Sequence, residues 1–577
     1  MDNSVNTGRD AVGLTGKRAS ALATLIGAAL VLAACTGGGS DEDSDTTSSE
    51  PVTFTYAYGQ EWQAYNVTTT GTNASQNAIP MNRVVLGFWY FAPDGSVAPE
   101  TEFGSYEKTS DDPLTVQYTF ADDAVWSDGE PIDCDDAWLA WYSQSGQTKS
   151  FSPVSTDGYE DIKTVDCADG DKTFTVTYDK PFADWQANFG NIYPAHVVEE
   201  QAGIDDFIAA VQDKDTKGLD KAGDFWTNGW VFKPGELPDP SLIPSSGPYM
   251  IDKWESGNSL TLKANPEWYG DAPKASTVVI RFINDTAQPQ ALENGEIQAM
   301  DPQPNPDLQK QLQKLGDSIV FDSADQYTFE HYDFQFNGAF KDKALRQAFA
   351  MCLPRQTIVD NLIKPDNPEA IVLNSRYYFP FQPDYEEVAA AITPEEYNEQ
   401  NIDEARKILE QNNAVGTEVR LGYIVPNDRR QAEAQLVQDS CGPDGAGFNV
   451  VDEGDKTFFN ADGALVTGNF DVAMFAWIGS PLVTGSSAIY VTDGGSNYGN
   501  YSNKQVDELT AQLNQTTDPE DQKDLIIQIE TILWDDLATV PVFAFPGIVA
   551  YAANAEGVEY NATQAGLTWN MEDWTLS

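Results

Sequence analysis

The stretch LTVQYTFADDAVWSDGEPIDCDDAWLAW, residues 114 to 141, places a strand, a turn and a helix in immediate succession. Its first seven residues, Leu114 to Phe120, alternate apolar and polar side chains, which is typical of a strand with one buried face. Residues 127 to 131 read Ser-Asp-Gly-Glu-Pro, a combination that favours a turn. An acidic pair and apolar residues at helical spacing follow from Asp135 to Gln144, which predicts a helix. The whole stretch is therefore typical of an α/β protein.

The same two patterns recur along most of the chain. Further strands are predicted over Lys172 to Lys180, Ser259 to Asn265, Ser276 to Ile283, Glu418 to Val425, Phe470 to Trp477 and Val540 to Phe545. Further helices are predicted over Asp342 to Leu353, Asp403 to Asn412, Asp428 to Cys441 and Pro519 to Leu537. The interval from Asp224 to Tyr249 is rich in Gly and Pro, so we expect loops there. Helices alternate with strands in the second half, which indicates a second α/β lobe.

Length and charge limit the possible functions. The 577 residues far exceed what one compact core needs, so we expect two or three lobes. The chain carries 33 basic and 90 acidic side chains, a formal net charge of -57, which disfavours nucleic acid and anionic lipid headgroups as partners. We interpret the acidity as a solvated exterior, with steering of cationic ligands as the alternative.

The amino terminus has the pattern of an export signal. Arg9, Lys17 and Arg18 precede an apolar run from Ala19 to Ala34, which is too short to predict a membrane-spanning helix. The run ends in Leu-Ala-Ala-Cys at residues 32 to 35, which resembles the bacterial lipobox. This predicts a signal peptide over residues 1–34 and lipidation of Cys35, on the extracellular face of the bacterial cell membrane. An ordinary signal peptide cut after Ala34 is the alternative.

Residues 35–51 are predicted to be a flexible tether. From Thr36 to Glu50 the sequence has no apolar side chain, three consecutive glycines and several acids. Such a composition behaves as a flexible coil. Membrane contact is therefore expected through the lipid anchor alone.

Four cysteines remain after Cys35, an even number that suggests two disulfides in an exported chain. Three pairings are possible. We favour Cys134 with Cys167 and Cys352 with Cys441, because each pair lies within one probable lobe. A zinc site is the competing interpretation, but no CxxC spacing occurs and the two histidines, His196 and His331, are far apart in sequence.

Signatures of catalysis are missing from the sequence. It contains no GxSxG nucleophile elbow, no HExxH metal pair and no GxGxxG dinucleotide loop. We therefore expect neither an enzyme nor a cofactor nor a metal site, although hydrolysis by a pair of carboxylates is a remote alternative.

Aromatic side chains in glycine-rich contexts are the better candidates for binding. Trp477 and Gly479 lie in FAWIGSP (475 to 481), and Tyr498 lies in GSNYGNYSN (495 to 503). We expect Trp477→Ala to weaken ligand binding while leaving the stability of the unliganded protein nearly unchanged.

Several segments occur in an order that matches one family. Besides residues 114 to 141, these are SSGPYMIDKWESGNSLTLKANPEWYG (245 to 270), ALENGEIQAM (291 to 300), FQFNGAFKDKALRQAFAMCLPRQTIV (334 to 359), YSNKQVDELT (501 to 510) and ILWDDLATVPVF (532 to 543). Together they resemble the large extracellular solute-binding proteins of peptide-type ABC importers. The resemblance extends over nearly the whole mature chain.

The resemblance implies a bilobed α/β fold of the periplasmic-binding-protein type II class, in its three-lobed peptide-binding form, with mixed sheets and a hinge. The implied boundaries are lobe I at 52–85, 195–300 and 545–577, an inserted β-rich lobe II at 86–194, and an α/β lobe III at 301–544. It also implies a monomer that encloses an oligopeptide between its lobes and delivers it to the permease subunits of an ABC importer.

One departure from the family bears on the ligand. Peptide binders of this family commonly carry an aspartate for the ligand's α-ammonium shortly after a tryptophan, whereas here Trp477 is followed by Ile-Gly-Ser-Pro. Either another carboxylate serves, or the ligand is an oligosaccharide or another small solute, with Trp477 as a stacking plane. By their place in the family, Trp62 and Asn73 are also expected near the cleft.

Overall fold

The computed structural model describes residues 51–303, 307–459 and 463–577. Residues 51–577 form one compact unit. The predicted signal peptide, the lipidation of Cys35 and all of the tether except Pro51 lie outside the described residues. None of the helices found in the described ranges has both the length and the apolar character required to cross a membrane.

The described residues contain both long and very short elements. The strands are β1 (Thr53–Tyr58), β2 (Trp89–Phe91), β3 (Val97–Pro99), β4 (Gly104–Asp111), β5 (Leu114–Phe120), β6 (Ile162–Asp166), β7 (Thr173–Tyr178), β8 (Tyr249–Glu255), β9 (Ser259–Ala264), β10 (Thr277–Phe282), β11 (Ala299–Met300), β12 (Ile319–Phe334), β13 (Glu418–Ile424), β14 (Asn449–Asp455), β15 (Val472–Ile478), β16 (Thr539–Ala552), β17 (Ala555–Glu556) and β18 (Thr575–Leu576). The α-helices are α1 (Ser75–Met81), α2 (Cys134–Gln144), α3 (Ala195–Ala202), α4 (Phe207–Gln212), α5 (Thr216–Asp224), α6 (Gln288–Glu293), α7 (Leu308–Gln313), α8 (Lys343–Cys352), α9 (Arg355–Ile358), α10 (Tyr385–Ile392), α11 (Ile402–Gln411), α12 (Asp428–Cys441), α13 (Ala464–Thr467), α14 (Ser487–Tyr490), α15 (Lys504–Leu513) and α16 (Pro519–Asp536).

A ten-stranded mixed sheet runs through the molecule in the order β14-β13-β15-β12-β16-β11-β1-β10-β9-β8. β1 is parallel to β10 and β11, and β13 is parallel to β14 and β15. The two long central strands, β12 and β16, are antiparallel to each other and join the two halves of the sheet. The mixed α/β class predicted from the sequence is therefore confirmed.

The pairing of β12 with β16 shifts register at two places, between Asp325 and Phe329 and between Glu330 and His331, and the first shift is the larger. Asp325 pairs with Pro546, but the next pair is Phe329 with Ala544, so three residues of β12 stand opposite one residue of β16. Such a bulge bends both strands locally. It lies beside the lobe boundary predicted between residues 544 and 545. The lobe boundaries themselves stay a prediction, because residues 51–577 form one compact unit.

Two large hydrophobic cores lie on either side of this break. One combines residues from the first 282 positions with a group between 549 and 574, and the other uses residues between 332 and 545. Each core contains one disulfide, Cys134–Cys167 in the first and Cys352–Cys441 in the second, so both predicted pairings are confirmed.

Residues 114 to 141 supply β5, which lies in a four-stranded antiparallel sheet of order β4-β5-β7-β6, and the start of α2, which follows the turn. Asp133 and Asp136 form a capping box at the start of α2. The buried Asp136 carboxylate also accepts hydrogen bonds from the Trp126 indole (3.2 Å) and the Ala195 amide (2.7 Å). Burial raises the pKa of Asp136 to about 7. One carboxylate thus joins the turn, α2 and α3.

Candidate ligand-binding cleft

A cavity of about 630 Å³ lies among the described residues. Its walls come from four parts of the chain, those predicted as the first segment of lobe I, lobe II, lobe III and the carboxyl-terminal return. Representative lining residues are Asn73 and Arg83, Trp89, Tyr90, Asp157, Tyr159, Phe182 and Asp184, Ser480 and Thr484, and Thr563 and Trp569. A volume of this size is within the usual range for small-molecule sites, about 300–1,000 Å³.

Aromatic rings form much of the apolar wall. Tyr90 and Trp569 stack on each other with ring centroids 5.9 Å apart and planes at 20°. The Trp569 indole donates to the carbonyl of Glu559 (3.0 Å), which fixes the ring near the cavity. Opposite parts of the chain thus meet in a wall that can contact apolar ligand groups.

Arg83 is the one basic side chain in the cavity lining, and its charge is already matched. Its guanidinium contacts Glu100 at 2.6 Å and Glu572 at 2.7 Å. Burial acts to lower the pKa of Arg83, but Glu572 and Glu100 raise it more, so Arg83 stays charged. The pair of carboxylates leaves no net positive charge at this end of the cavity.

Asp184 connects two segments of the cavity lining, those predicted as lobe II and lobe III. One carboxylate oxygen accepts from the amide (2.8 Å) and the hydroxyl (2.7 Å) of Thr484, and the other accepts from the amide of Val483 (3.3 Å). Next to it, the Ala183 amide donates to the carbonyl of Asn514 (2.8 Å). We call the contact of Asp184 with Val483 and Thr484 the clasp. Burial raises the pKa of Asp184, while the hydrogen bonds from Thr484 act against that rise.

The predicted ligand contacts are distributed over three environments. Asn73 lines the cavity. Trp62 does not, because it is fully buried in the first core, with the rings of Trp254 and Phe232 at 5.1 and 5.8 Å. Trp62 is therefore a core residue in this conformation, and its contact with a ligand stays a prediction.

Trp477 and Gly479 line a second, smaller cavity of about 140 Å³. Ser480, Leu482 and Gly485 border both cavities, so one loop separates them. The Trp477 ring lies parallel to the rings of His331 (5.8 Å, 10°) and Tyr498 (6.0 Å, 9°). Tyr498 lines neither cavity, but its ring packs against that of Trp477.

Trp477→Ala should lower the free energy of unfolding of the unliganded protein by about 2 to 3 kcal/mol, somewhat less than for a fully buried tryptophan. We expect this loss, in place of the nearly unchanged stability expected from the sequence, because Trp477 is partly buried and packs against two hydrophobic clusters. Denaturant titration of the apo protein measures the loss, and Trp477→Phe should recover part of it. An unchanged unfolding midpoint for Trp477→Ala would contradict the packing role.

Asp157, Asp184 and Arg83 line the cavity, but no pattern in the sequence predicted them there. Each is an ordinary charged residue in a loop or beside a helix end, with no motif around it. Asp157 does precede a glycine, Gly158, that has a positive φ of 74°, so a turn at Asp157-Gly158 was the one local signal.

A group of carboxylates outside the cavity has the spacing of metal ligands. Asp133, Asp135 and Asp169 each offer an oxygen within 4.8 Å of the others. Burial, and next the charge of Glu199, raise the pKa of Asp135 to about 8. The group lies at the start of α2 and is not part of the cleft, and the expectation of no metal stays a prediction.

Comparison with known proteins identifies the family. Residues 100–500 match the profile of the bacterial extracellular solute-binding proteins, family 5 Middle. The chain belongs to this family. Family 5 proteins are the solute-binding components of ABC importers, and the predicted resemblance is thereby confirmed.

Individual family members agree with this assignment. The chain is 29% identical to an uncharacterized lipoprotein of Mycobacterium tuberculosis, over 98% of each chain. It is 26% identical to the oligopeptide-binding protein OppA of Mycobacterium bovis, over 84% of this chain and 78% of that one. A solved periplasmic EDTA-binding protein, EppA, superposes with a TM-score of 0.80 at 23% identity, covering 91% of this chain and 96% of that one. The last comparison shows the fold, which is that of the type II periplasmic binding proteins.

Proposed function

We propose that this family 5 protein is a lipid-anchored receptor that captures oligopeptides in the 630 Å³ cleft and delivers them to the permease of an ABC importer. The observation that carries the proposal is the cleft itself. Its walls come from four chain segments, and the clasp joins two of these segments. A ligand held between lobes can favour closure only through its greater affinity for the closed form. The name of the OppA relative supports a peptide.

Residue roles in this proposal follow the cleft. Asn73 contributes a polar contact from its wall, and the aromatic pair Tyr90 and Trp569 contributes apolar area. Gly479 and Trp477 act from the smaller cavity behind the loop, with Tyr498 holding Trp477 in place. Extended peptides held by main-chain hydrogen bonds leave side-chain pockets free to vary.

The ligand itself is the decisive test. Protein purified from its native host should release short peptides on mild denaturation, identified by mass spectrometry. The control is the same preparation after unfolding, dialysis and refolding, which should be empty. Recovery of an oligosaccharide or another small solute instead would overturn the peptide assignment and favour the alternative receptor role.

Cys35→Ala should move the protein from the membrane fraction to the medium. The reason is that the acyl chains proposed on the Cys35 sulfur and amine supply most of the membrane affinity, at about 0.8 kcal/mol per buried methylene. Cell fractionation and labelling with a radioactive fatty acid measure the change. Ser40→Ala, five residues along the tether, is the matched control and should stay labelled and membrane-bound. Retention of the Cys35→Ala protein in the membrane would refute the anchor.

A further inference from the structure

The smaller cavity is lined by hydrogen-bond donors that lack acceptors. Its volume of about 140 Å³ is several times the space that one water molecule needs, about 15 Å³. Three of its lining side chains carry a buried polar atom with no hydrogen-bond partner among the described residues: Nε of Arg376, the hydroxyl of Tyr377 and Nε1 of Trp477. Each of these atoms carries a hydrogen that it can donate. The wall of the smaller cavity therefore offers three donors for which the described part of the chain supplies no acceptor.

The positive charge of Arg376 is already matched. Its side chain is fully buried, and one guanidinium nitrogen donates to Oε2 of the equally buried Glu530 at 2.6 Å. A second guanidinium nitrogen donates to the carbonyl of Thr539, which leaves Nε as the free donor. A buried anion needs a positive partner of its own, and Arg376 is taken. The donors of this wall therefore suit a neutral acceptor better than a carboxylate.

The side chains that carry these donors are held in place. Oε1 of Glu530 accepts from the hydroxyl of Ser375 (2.7 Å) and from the amide of Tyr377 (3.2 Å), which fixes the backbone beside the cavity. Burial, and next the charge of Glu530, raise the pKa of Tyr377, so its hydroxyl keeps its proton at neutral pH. The Trp477 ring is supported by the parallel ring of Tyr498. Recognition groups held in this way lose little freedom when a ligand binds.

The smaller cavity lies beside the large one. Ser480, Leu482 and Gly485 border both, so the two cavities share one loop as a wall. The same loop carries Val483, which lines the smaller cavity and donates its amide to Asp184 in the clasp. A group in the smaller cavity would therefore lie next to a ligand in the large one and behind the clasp.

We infer that the smaller cavity is a specificity pocket for a ligand side chain that ends in a carboxamide, that of asparagine or glutamine. This inference rests on the proposed function and adds to it a preference for one class of side chain.

A carboxamide fits this pocket better than an apolar group or a carboxylate of the same size. Its carbonyl oxygen can accept from the unpartnered donors, whereas an apolar side chain leaves them unpaired in a buried site, which is costly. Its N–H groups find hydroxyl oxygens in the same lining, those of Ser480 and Ser486. A glutamate of the same shape would bring a buried charge with no cation left to match it.

The test removes one donor and reads the side chains of retained peptides. The mature chain, in detergent, is incubated with a randomised tetrapeptide library, and the retained peptides are sequenced by mass spectrometry. The wild-type protein should enrich glutamine or asparagine over methionine, leucine and glutamate at least fivefold at one position. Tyr377→Phe should reduce this enrichment to about twofold or less. Its melting temperature without ligand should not fall, because the hydroxyl that it loses has no partner.

Tyr490→Phe is the matched control. Its hydroxyl is also buried and unpartnered, and its ring lies 6.1 Å from that of Tyr377, but Tyr490 does not line the smaller cavity. This variant should keep the wild-type enrichment.

The possible failures are separate. Retention of peptides with no preference among side chains overturns the pocket and leaves peptide capture standing. A preference that survives Tyr377→Phe also overturns the pocket, and a lower melting temperature of that variant would then assign the cavity to ordered water. An equal loss of preference in Tyr490→Phe overturns it as well, because the effect would not depend on the cavity lining. Retention of no peptide overturns peptide capture itself, and the pocket with it.

Discussion

Replacing Glu330 by glutamine should lower the free energy of unfolding by about 3 to 5 kcal/mol, the usual loss when one partner of a buried ion pair is removed. Glu330 is fully buried in β12 and binds two guanidinium groups of α12. Its oxygens accept from Arg430 at 2.7 and 3.1 Å and from Arg429 at 3.2 Å. Without the carboxylate, two buried cations would share one remaining partner, Glu433.

The position of this cluster explains why the effect should reach both long strands of the large sheet. Arg429 also lies over the rings of Phe543 and Phe545 in β16, at 5.3 and 4.7 Å. Since β12 and β16 are the strands that connect the two halves of the large sheet, the Glu330 cluster anchors both of them to α12. We expect Glu330→Gln to lower the unfolding midpoint in urea, followed by tryptophan fluorescence.

Glu433→Gln is the matched control, on the same cluster. Burial raises the pKa of Glu433, while Arg429 acts against that rise. Glu433 pairs with one guanidinium, that of Arg429, whereas Glu330 binds two, so the loss for Glu433→Gln should be the smaller one. Burial also acts to raise the pKa of Glu330, but Arg430 and Arg429 lower it more. The stability that Glu330 contributes is therefore present above the ordinary glutamate pKa and is lost as the pH falls below it. Equal losses for the two variants at neutral pH would contradict the dominant role of Glu330.

The sequence predicted the elements whose local signals agree with their burial. Residues 114 to 120 form β5 as predicted, and residues 428 to 441 form α12 as predicted. The alternation of apolar and polar residues predicts β5, and the residues at its amino-terminal end predict where α12 begins. The loop interval from Asp224 to Tyr249 also lacks long elements, because Gly and Pro interrupt it.

The central strand β12 could not be found in this way. Its middle reads Asp-Ser-Ala-Asp-Gln at residues 322 to 326, which is polar and shows no clean alternation. These residues are in a strand because β16 pairs with them across more than 200 residues of sequence. For the same reason only residues 540 to 545 of β16 were predicted, although the strand extends from Thr539 to Ala552. Tertiary pairing overrides weak local preference here.

The candidate site was less accessible to sequence reasoning than the fold. Aromatic residues beside glycines pointed to Trp477 and Tyr498, which pack against each other next to the smaller cavity. Asp184 became visible as a candidate only when the structure placed it in the cavity lining. Its significance depends on its contact with Thr484, 300 residues away in sequence, which no local pattern encodes.

Asp184→Ala should weaken ligand binding by about 10- to 100-fold, through loss of the clasp. The carboxylate accepts three hydrogen bonds from Val483 and Thr484, and bonds to a charged group contribute roughly 1.5–3 kcal/mol each before solvent competes. These bonds join the two lining segments that carry Asp184 and Thr484. We therefore expect their loss to disfavour the proposed closed form, in which the cleft encloses the ligand. Apparent affinity falls with the population of the closed form. Calorimetric titration with the ligand recovered from the native protein measures the change.

Thr484→Val separates the clasp from direct contact of Asp184 with ligand. It removes the hydroxyl donor but keeps the Thr484 amide, so we expect a smaller loss of about 3- to 10-fold, near 1 kcal/mol. If Asp184 acts through Thr484, the loss of binding free energy in the double variant should be smaller than the sum of the losses in the two single variants, because the two groups share one hydrogen bond. Small-angle scattering should show that unliganded Asp184→Ala is more expanded than the wild type. Fully additive losses with an unchanged radius of gyration would assign Asp184 to the ligand itself, and the closed form would then have to be held by other contacts across the cleft.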